Sequence, residues 1–272
     1  MIGPARALTL INLRQSAIWC SRPDCAIFGA IMTITIERRD IHNSQVPAIC
    51  ESCEARHRGM CGALEPSELL ALSKSTHVMR HDAGAELAAE AMPVQSYANV
   101  MRGVVKLSKV LEDGRQQIVG LQFAPDFLGR LYSRESAVTA EAASEVDLCR
   151  VPRAALEKMV ADNPALEHRL MQQTLRELDE AREWMVTLGR KTASEKVASF
   201  LHLIATHLDP AGGSRRTFDL PLTRADIADF LGLTIETVSR QLSKLRAEQI
   251  IEITNNRHVE VKSFAALKSR CG

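Results

Sequence analysis

The chain has 272 residues, 46% of them hydrophobic and 25% charged, with a formal net charge of +1. That length can bury a sizeable core and suggests two domains, and the near-neutral balance excludes binding of nucleic acid through overall basicity, so any such site must be a local patch. No run of about 20 apolar residues argues for a membrane-spanning helix, and the N-terminus lacks the basic start, apolar run and small-residue cleavage site of a secretory signal. The expected location is therefore the cytoplasm, where thiols stay reduced and the seven cysteines need a use other than disulfides.

Residues 1–45 show no clear helical or strand period and are expected to form a disordered extension, with Met32 a plausible start and Cys20 and Cys25 unassigned. Residues 46–153 are read as a sensory segment. It opens with Cys50-Glu-Ser-Cys53 and Cys61 eight residues on, a spacing that lets thiolates converge on one metal centre. Zinc, with His57 as a fourth ligand, is the rival, although Arg56 and Arg58 beside that histidine oppose a dication. Leu69, Leu70 and Leu72 suggest a short helix over 64–74. Alternation over 103–111 and 116–123 about Asp113-Gly114 predicts a hairpin, and 137–143 and 146–151 read as further strands of a small antiparallel roll. Cys149 lies in the last of these, where a lone cysteine is ordinarily a packing residue.

Residues 154–190 read as a long helix that Pro164 begins at its first turn. Met171, Thr174, Leu178, Ala181, Met185 and Leu188 recur at heptad spacing, which favours a seam between two copies of the chain; Thr174 and Ala181 are weak knobs, so the seam is marginal. Residues 191–272 carry 12 Lys and Arg against 9 Asp and Glu. Within them Leu222–Leu245 reads as two helices broken at Gly232. Thr223 and Thr234 stand at their starts, and Val238, Leu242 and Leu245 form the hidden stripe of the second helix. Glu236, Ser239 and Arg240 share the outer face, as in a helix built to enter a major groove. The runs 250–254 and 258–261 about Asn255-Asn256-Arg257 predict the small hairpin called a wing. The expected fold class is α+β: an antiparallel β-roll, a long dimerisation helix and a C-terminal winged helix-turn-helix.

This order of elements, with Gly-Leu-Thr-Ile-Glu-Thr-Val-Ser-Arg at 232–240, resembles the CRP/FNR family of bacterial transcription regulators over about residues 46–265. The cysteines resemble its FNR-type branch, with an FnrL-like spacing. The resemblance implies that Cys50, Cys53, Cys61 and Cys149 hold an oxygen-labile [4Fe–4S] cluster, and that Thr223, Thr234, Ile235, Glu236, Ser239 and Arg240 meet double-stranded DNA at TTGAT half-sites. It implies a homodimer that works with RNA polymerase and is no enzyme. The family's cyclic-AMP-binding branch carries Glu where Arg130 stands and an Arg-Ser or Arg-Thr clamp that is missing here, so no cyclic nucleotide is expected. A regulator answering to zinc or another ligand is the alternative, and an iron–sulfur electron carrier a more distant one. Cys271 matches nothing in the pattern.

Overall fold

The computed structural model describes residues 46–272 apart from Ser52, so the expectations for residues 1–45, with Cys20 and Cys25, lie outside the described residues. The chain opens with α1 (Ala48–Glu51), α2 (Glu54–His57), a 3-10 turn at Met60–Ala63, and α3 (Pro66–Ser73). Glu65 and Glu68 cap the start of α3 reciprocally and Pro66 occupies its first turn, where a missing N–H costs nothing.

The roll follows: β1 (His77–His81), β2 (Glu86–Ala88), β3 (Ser96–Arg102), β4 (Val104–Val110), β5 (Gln116–Phe123), β6 (Phe127–Leu128), β7 (Thr139–Ala142) and β8 (Val146–Pro152). They form two antiparallel four-stranded sheets, in the orders β1-β8-β3-β6 and β2-β7-β4-β5. The strands expected from alternation are β4, β5, β7 and β8. The central strand β3 was not expected: Tyr97, Ala98, Asn99 and Val100 are buried on both faces, which erases the alternating signal. Gly103 turns β3 into β4 at φ 87°, and a Cβ there would run into the Glu145 carbonyl, so only glycine fits.

Next come α4 (Arg153–Asp162) and α5 (Pro164–Arg190). Asn163 separates them, its side chain accepting from the N–H groups of Ala165 and Leu166, with Pro164 in the first turn of α5 as the sequence predicts. Thr192 and Glu195 cap α6 (Ala193–Leu208) in the same reciprocal way. The C-terminal module is completed by β9 (Arg216–Asp219), α7 (Arg224–Leu231), α8 (Ile235–Ala247), β10 (Ile251–Thr254), β11 (His258–Val261) and α9 (Phe264–Ser269). β9 makes the wing a three-stranded sheet ordered β10-β11-β9 rather than a lone hairpin.

Three apolar clusters hold these parts. One lies within the roll. A second joins Met60 and Leu72 of the cysteine segment to Tyr97, Phe127 and Val151 of the roll and to Leu156, Leu166 and Leu170 of α4 and α5. The third is continuous from Val104, Ile118 and Phe123 of β4 and β5 into α6, α7, α8 and the wing. Helix α5 buries Leu166, Leu170, Gln173 and Thr187, and sets Trp184 against Phe230 of α7 with ring centroids 4.6 Å apart. Its exposed large apolar residues are Met171, Leu175, Leu178, Met185 and Val186. At about 100° per residue this stripe lies opposite the buried one. Of the predicted seam residues, Met171, Thr174, Leu178, Ala181 and Met185 are exposed and Leu188 is half-buried, and Leu175 adds a further exposed apolar residue to that side of the helix.

Candidate metal centre and nucleic-acid interface

The cysteine pair Cys50 and Cys53 is folded by a turn in which the Cys53 N–H donates to the Cys50 carbonyl at 3.5 Å, and the Cys53 carbonyl in turn accepts from Arg56 at 3.0 Å. The 3-10 turn then carries Cys61 inward, packed against the cluster of Met60, Leu72 and Tyr97. Cys149 arrives from β8, paired in register with Val78 of β1 and Asn99 of β3. Four thiols from two distant parts of the chain thus feel one another. Burial, then Cys149 and Cys53, push the Cys50 thiol up to about 11. Burial, then Cys149, Cys53 and Cys50, push Cys61 up further, and burial, then Cys53, raise Cys149. Thiols raised in this way stay protonated, so a metal centre bound by them would displace their protons and stabilise the thiolates.

Cys50, Cys53, Cys61 and Cys149 are the candidate donors, each half-buried. His57 is exposed, with its Nε2 3.2 Å from the Glu51 carbonyl oxygen. Among the described residues no three His, Cys, Asp or Glu side chains stand close enough to hold a single metal ion. Asn99, a residue missed from sequence, is 1% exposed beneath this site and donates from Nδ2 to Cys61 Sγ at 3.8 Å. Its Oδ1 has no partner among the described residues. A buried asparagine in a strand core gave no sequence signal, because its role depends on which strand lies alongside.

A second missed residue links this segment to the long helix. Arg169 of α5 donates from Nε to the Gly59 carbonyl at 3.1 Å and from Nη2 to the Arg58 carbonyl at 2.7 Å. Both carbonyls lie between Cys53 and Cys61, so the placement of the cysteine segment is felt directly at α5. Below this contact is a polar cleft of about 660 Å³, lined by Asp126, Gln173, Arg176, Glu177, Glu180 and His207 among others.

In the C-terminal module Thr223 caps α7, accepting from the Asp226 N–H, while the Asp226 side chain accepts back from the Thr223 N–H at 3.0 Å. Gly232 ends α7 at φ 60°, the left-handed position expected of it. Thr234 caps α8, accepting from the Thr237 N–H at 3.2 Å. Val238, Leu242 and Leu245 are buried, and Ile235, Glu236, Ser239 and Arg240 are exposed together on the outer face. Among the described residues Glu236 and Arg240 form no ion pair; Arg240 donates instead to Thr237 Oγ1 at 3.3 Å and remains exposed. A backbone N–H at the helix start, then Thr234, hold the Glu236 carboxyl below its usual range. Asn255 and Asn256, both left-handed, make the tip of the wing, and Arg224 donates to the Asn256 carbonyl at 3.2 Å, tying the wing to α7.

A β-roll, a long connecting helix and a winged helix-turn-helix with an open reading face define the class: a DNA-binding transcription regulator. Residues 78–163 match the cyclic nucleotide-binding domain and residues 195–270 the Crp-like helix-turn-helix domain. The chain is 52% identical, over 86% of its length and 97% of the other, to a probable transcriptional activator of Rhizobium leguminosarum bv. viciae. It is 40% identical, over 84% of its length and 95% of the other, to the transcriptional activator protein FnrL of Cereibacter sphaeroides. Among solved structures, FixK2 from Bradyrhizobium japonicum superposes with a TM-score of 0.67 at 32% identity, over 72% of this chain and 98% of that one. The chain belongs to the CRP/FNR family of transcription regulators, and so to a family of regulators and not of enzymes. Among the described residues no helix is long and apolar enough to cross a membrane.

Proposed function

We propose that this chain is an oxygen-responsive regulator that binds two-fold repeats of TTGAT-type half-sites as a homodimer, with a [4Fe–4S] cluster held by Cys50, Cys53, Cys61 and Cys149. The observation that carries the reading is that these four cysteines, three from the entry segment and one from β8, are all half-buried, and that the thiols of Cys50, Cys61 and Cys149 are each raised in part by other cysteines of the set. A [4Fe–4S] cluster would be held by four cysteine thiolates, the number that Cys50, Cys53, Cys61 and Cys149 would supply. The 40% identity to FnrL over nearly the whole of both chains is in keeping with it. Bound there, the cluster would supply the oxygen reactivity. The chain's own part is mechanical: Cys149 anchors the entry segment to β8, and Arg169 passes its position to α5.

Helix α5 then offers Met171, Leu175, Leu178 and Met185 to a second copy, and pairing sets two α8 helices roughly 34 Å apart, one turn of DNA. At each half-site Arg240 is placed for guanine O6 and N7, Glu236 for cytosine N4, and Ile235 and Ser239 for thymine and its neighbours, with Thr223 and Thr234 near the phosphates. The roll cavity, about 520 Å³, is lined by Leu87, Leu107, Leu128 and Ala140 together with Arg130 and Arg150, the latter donating to the Leu87 carbonyl at 3.2 Å, and in keeping with Arg130 standing where the cyclic-AMP-binding branch has Glu we assign it no cyclic nucleotide. RNA polymerase is the partner of the DNA-bound dimer, and a cytoplasmic location follows from that work.

The test is an assay of iron and acid-labile sulfide in anaerobically purified protein, with the visible spectrum followed on admitting air. Four irons and four sulfides per chain, lost in air together with DNA binding and absent from Cys53→Ser, are expected. Zinc without sulfide, or full DNA binding by colourless protein, would refute the cluster.

A further inference from the structure

Lys106 is the least expected buried charge in the molecule. It sits on β4, opposite Glu141 of β7 in the strand register, and is only 8% exposed. Its Nζ lies 2.9 Å from Glu141 Oε1 within the roll and 2.7 Å from Asp226 Oδ1 in the first helix of the DNA-binding module. One ammonium therefore bridges two modules that are 120 residues apart in the chain. Burial by itself would lower the pKa of that ammonium, but the bonds to Asp226 and Glu141 outweigh it and hold the group above its usual value. The same bond from Lys106, with those from Thr223, overrides the burial of Asp226 and keeps it ionised.

The placement of Asp226 gives the bridge its consequence. Its other oxygen belongs to the capping box with Thr223, so the carboxylate that starts α7 is also the one the roll grips. A second polar contact lies at the far end of the same helix, where Gln117 of β5 donates to the Phe230 carbonyl at 3.3 Å. Between them Ile118 and Ile227 share one apolar cluster. Apolar packing resists separation but is weakly directional, whereas two hydrogen-bonded points about one helical turn apart, at Asp226 and Phe230, restrain the angle. A buried lysine leaves nothing to chance here, since breaking its pair strands a charge away from water.

We propose that Lys106 is a positioning residue for DNA binding: by gripping Asp226 it fixes the angle at which the helix-turn-helix leaves the roll, and with it the presentation of α8. The proposal rests on DNA reading by α8 and not on the cysteine centre. A module held at a fixed angle reaches both halves of a two-fold site without first ordering itself. A loosened module pays that ordering on every full-site encounter but hardly at all on a single half-site.

Lys106→Met keeps the aliphatic stem and removes the ammonium; Lys106→Arg retains the charge. With anaerobically purified full-length protein at fixed salt, binding to a duplex carrying two TTGAT half-sites and to one carrying a single half-site is measured by fluorescence anisotropy. The expected result is about a tenfold loss on the two-site duplex for Lys106→Met, with single-site affinity within about twofold and partial recovery in Lys106→Arg. Equal loss on both duplexes would show a merely structural role for α7, and tighter binding would show an inhibitory contact; either overturns the proposal. Hydrogen exchange without DNA provides an independent check: Lys106→Met should speed exchange across Arg224–Leu231 and leave Ala193–Leu208 unchanged. Unaltered exchange in the first segment also refutes it.

Discussion

The exposed stripe of α5 contains one charged interruption, and replacing it makes a quantitative test of how the chain dimerises. Arg182 lies one heptad-type step beyond Leu178 and before Met185, and its partner Asp179, 3.1 Å away, is as exposed as Arg182 itself. That i, i+3 pair is worth only about 0.2–0.5 kcal/mol, so removing it costs little. Burying a leucine fully is worth about 1.5–3 kcal/mol, and the aliphatic stem of arginine already supplies about half of that at a helix interface. With the lost pair subtracted, Arg182→Leu should then gain about 0.25–1.3 kcal/mol per protomer, or about 0.5–2.6 kcal/mol per dimer. At 1.4 kcal/mol per tenfold this is about a 2- to 70-fold fall in the dimer dissociation constant. Sedimentation equilibrium of the iron-free protein in air, with wild type alongside, measures it directly. An unchanged monomer–dimer midpoint, with Met171→Ala equally silent, would show that this face of α5 is not where two copies meet.

Two further outcomes follow from particular contacts. Arg240→Ala should cost about 1–3 kcal/mol of DNA affinity and relax the preference at one G·C pair, read by binding to a set of single-base variants of the half-site; an unaltered preference would remove Arg240 from base reading. Arg169→Leu should leave iron and sulfide content intact yet weaken anaerobic dimerisation, because it removes the bonds to the Arg58 and Gly59 carbonyls; a dimer as tight as wild type in analytical ultracentrifugation would break the proposed link.

The polar cleft predicts a pH effect. Burial, then Asp126 and Glu180, push the Glu177 carboxyl from 4.5 up to about 7, although the residue as a whole is exposed. Asp126 is raised by burial, and Glu180 by burial and then Asp126, while Arg176 and His207 offset part of this. A carboxyl with a raised folded pKa gives stability that is full below its unfolded value and is lost as pH rises through the folded one. Glu177→Gln has no such loss, so its melting temperature relative to wild type should climb between about pH 5 and pH 7. A constant difference across that range would show that Glu177 is ionised throughout.

Much of the C-terminal module was legible because its signals are local. The break at Gly232, the caps at Thr223 and Thr234 and the hidden stripe Val238, Leu242 and Leu245 each depend on residues within a turn of one another. The same holds for Pro164 at the start of α5 and for the β4–β5 hairpin about Gly114. What escaped is non-local. β3 is buried on both faces and carries no period, and β9 joins the wing only through its register with β11. Lys106, Asn99 and Arg169 look like an ordinary strand lysine, strand asparagine and helix arginine until the partners 120, 38 and 110 residues away are in place. The rotation of α5 about its axis is likewise non-local: the contact of Trp184 with Phe230 of α7 helps to set which face of the helix turns outward.

The apolar cluster that runs unbroken from Val104, Ile118 and Phe123 into the DNA-reading module bears on how such regulators can be recombined. A chimera cut at the start of α6 would carry the reading helices away from the roll surface they pack against. It would keep Ile227 and Phe230 while exchanging the side chains that cover them. The graft with a matched seam is one that moves β4 and β5 together with residues 191–272, although the two segments are far apart in the chain. In this chain the sensing and reading modules are therefore a fitted pair, and their boundary in sequence is not their boundary in space.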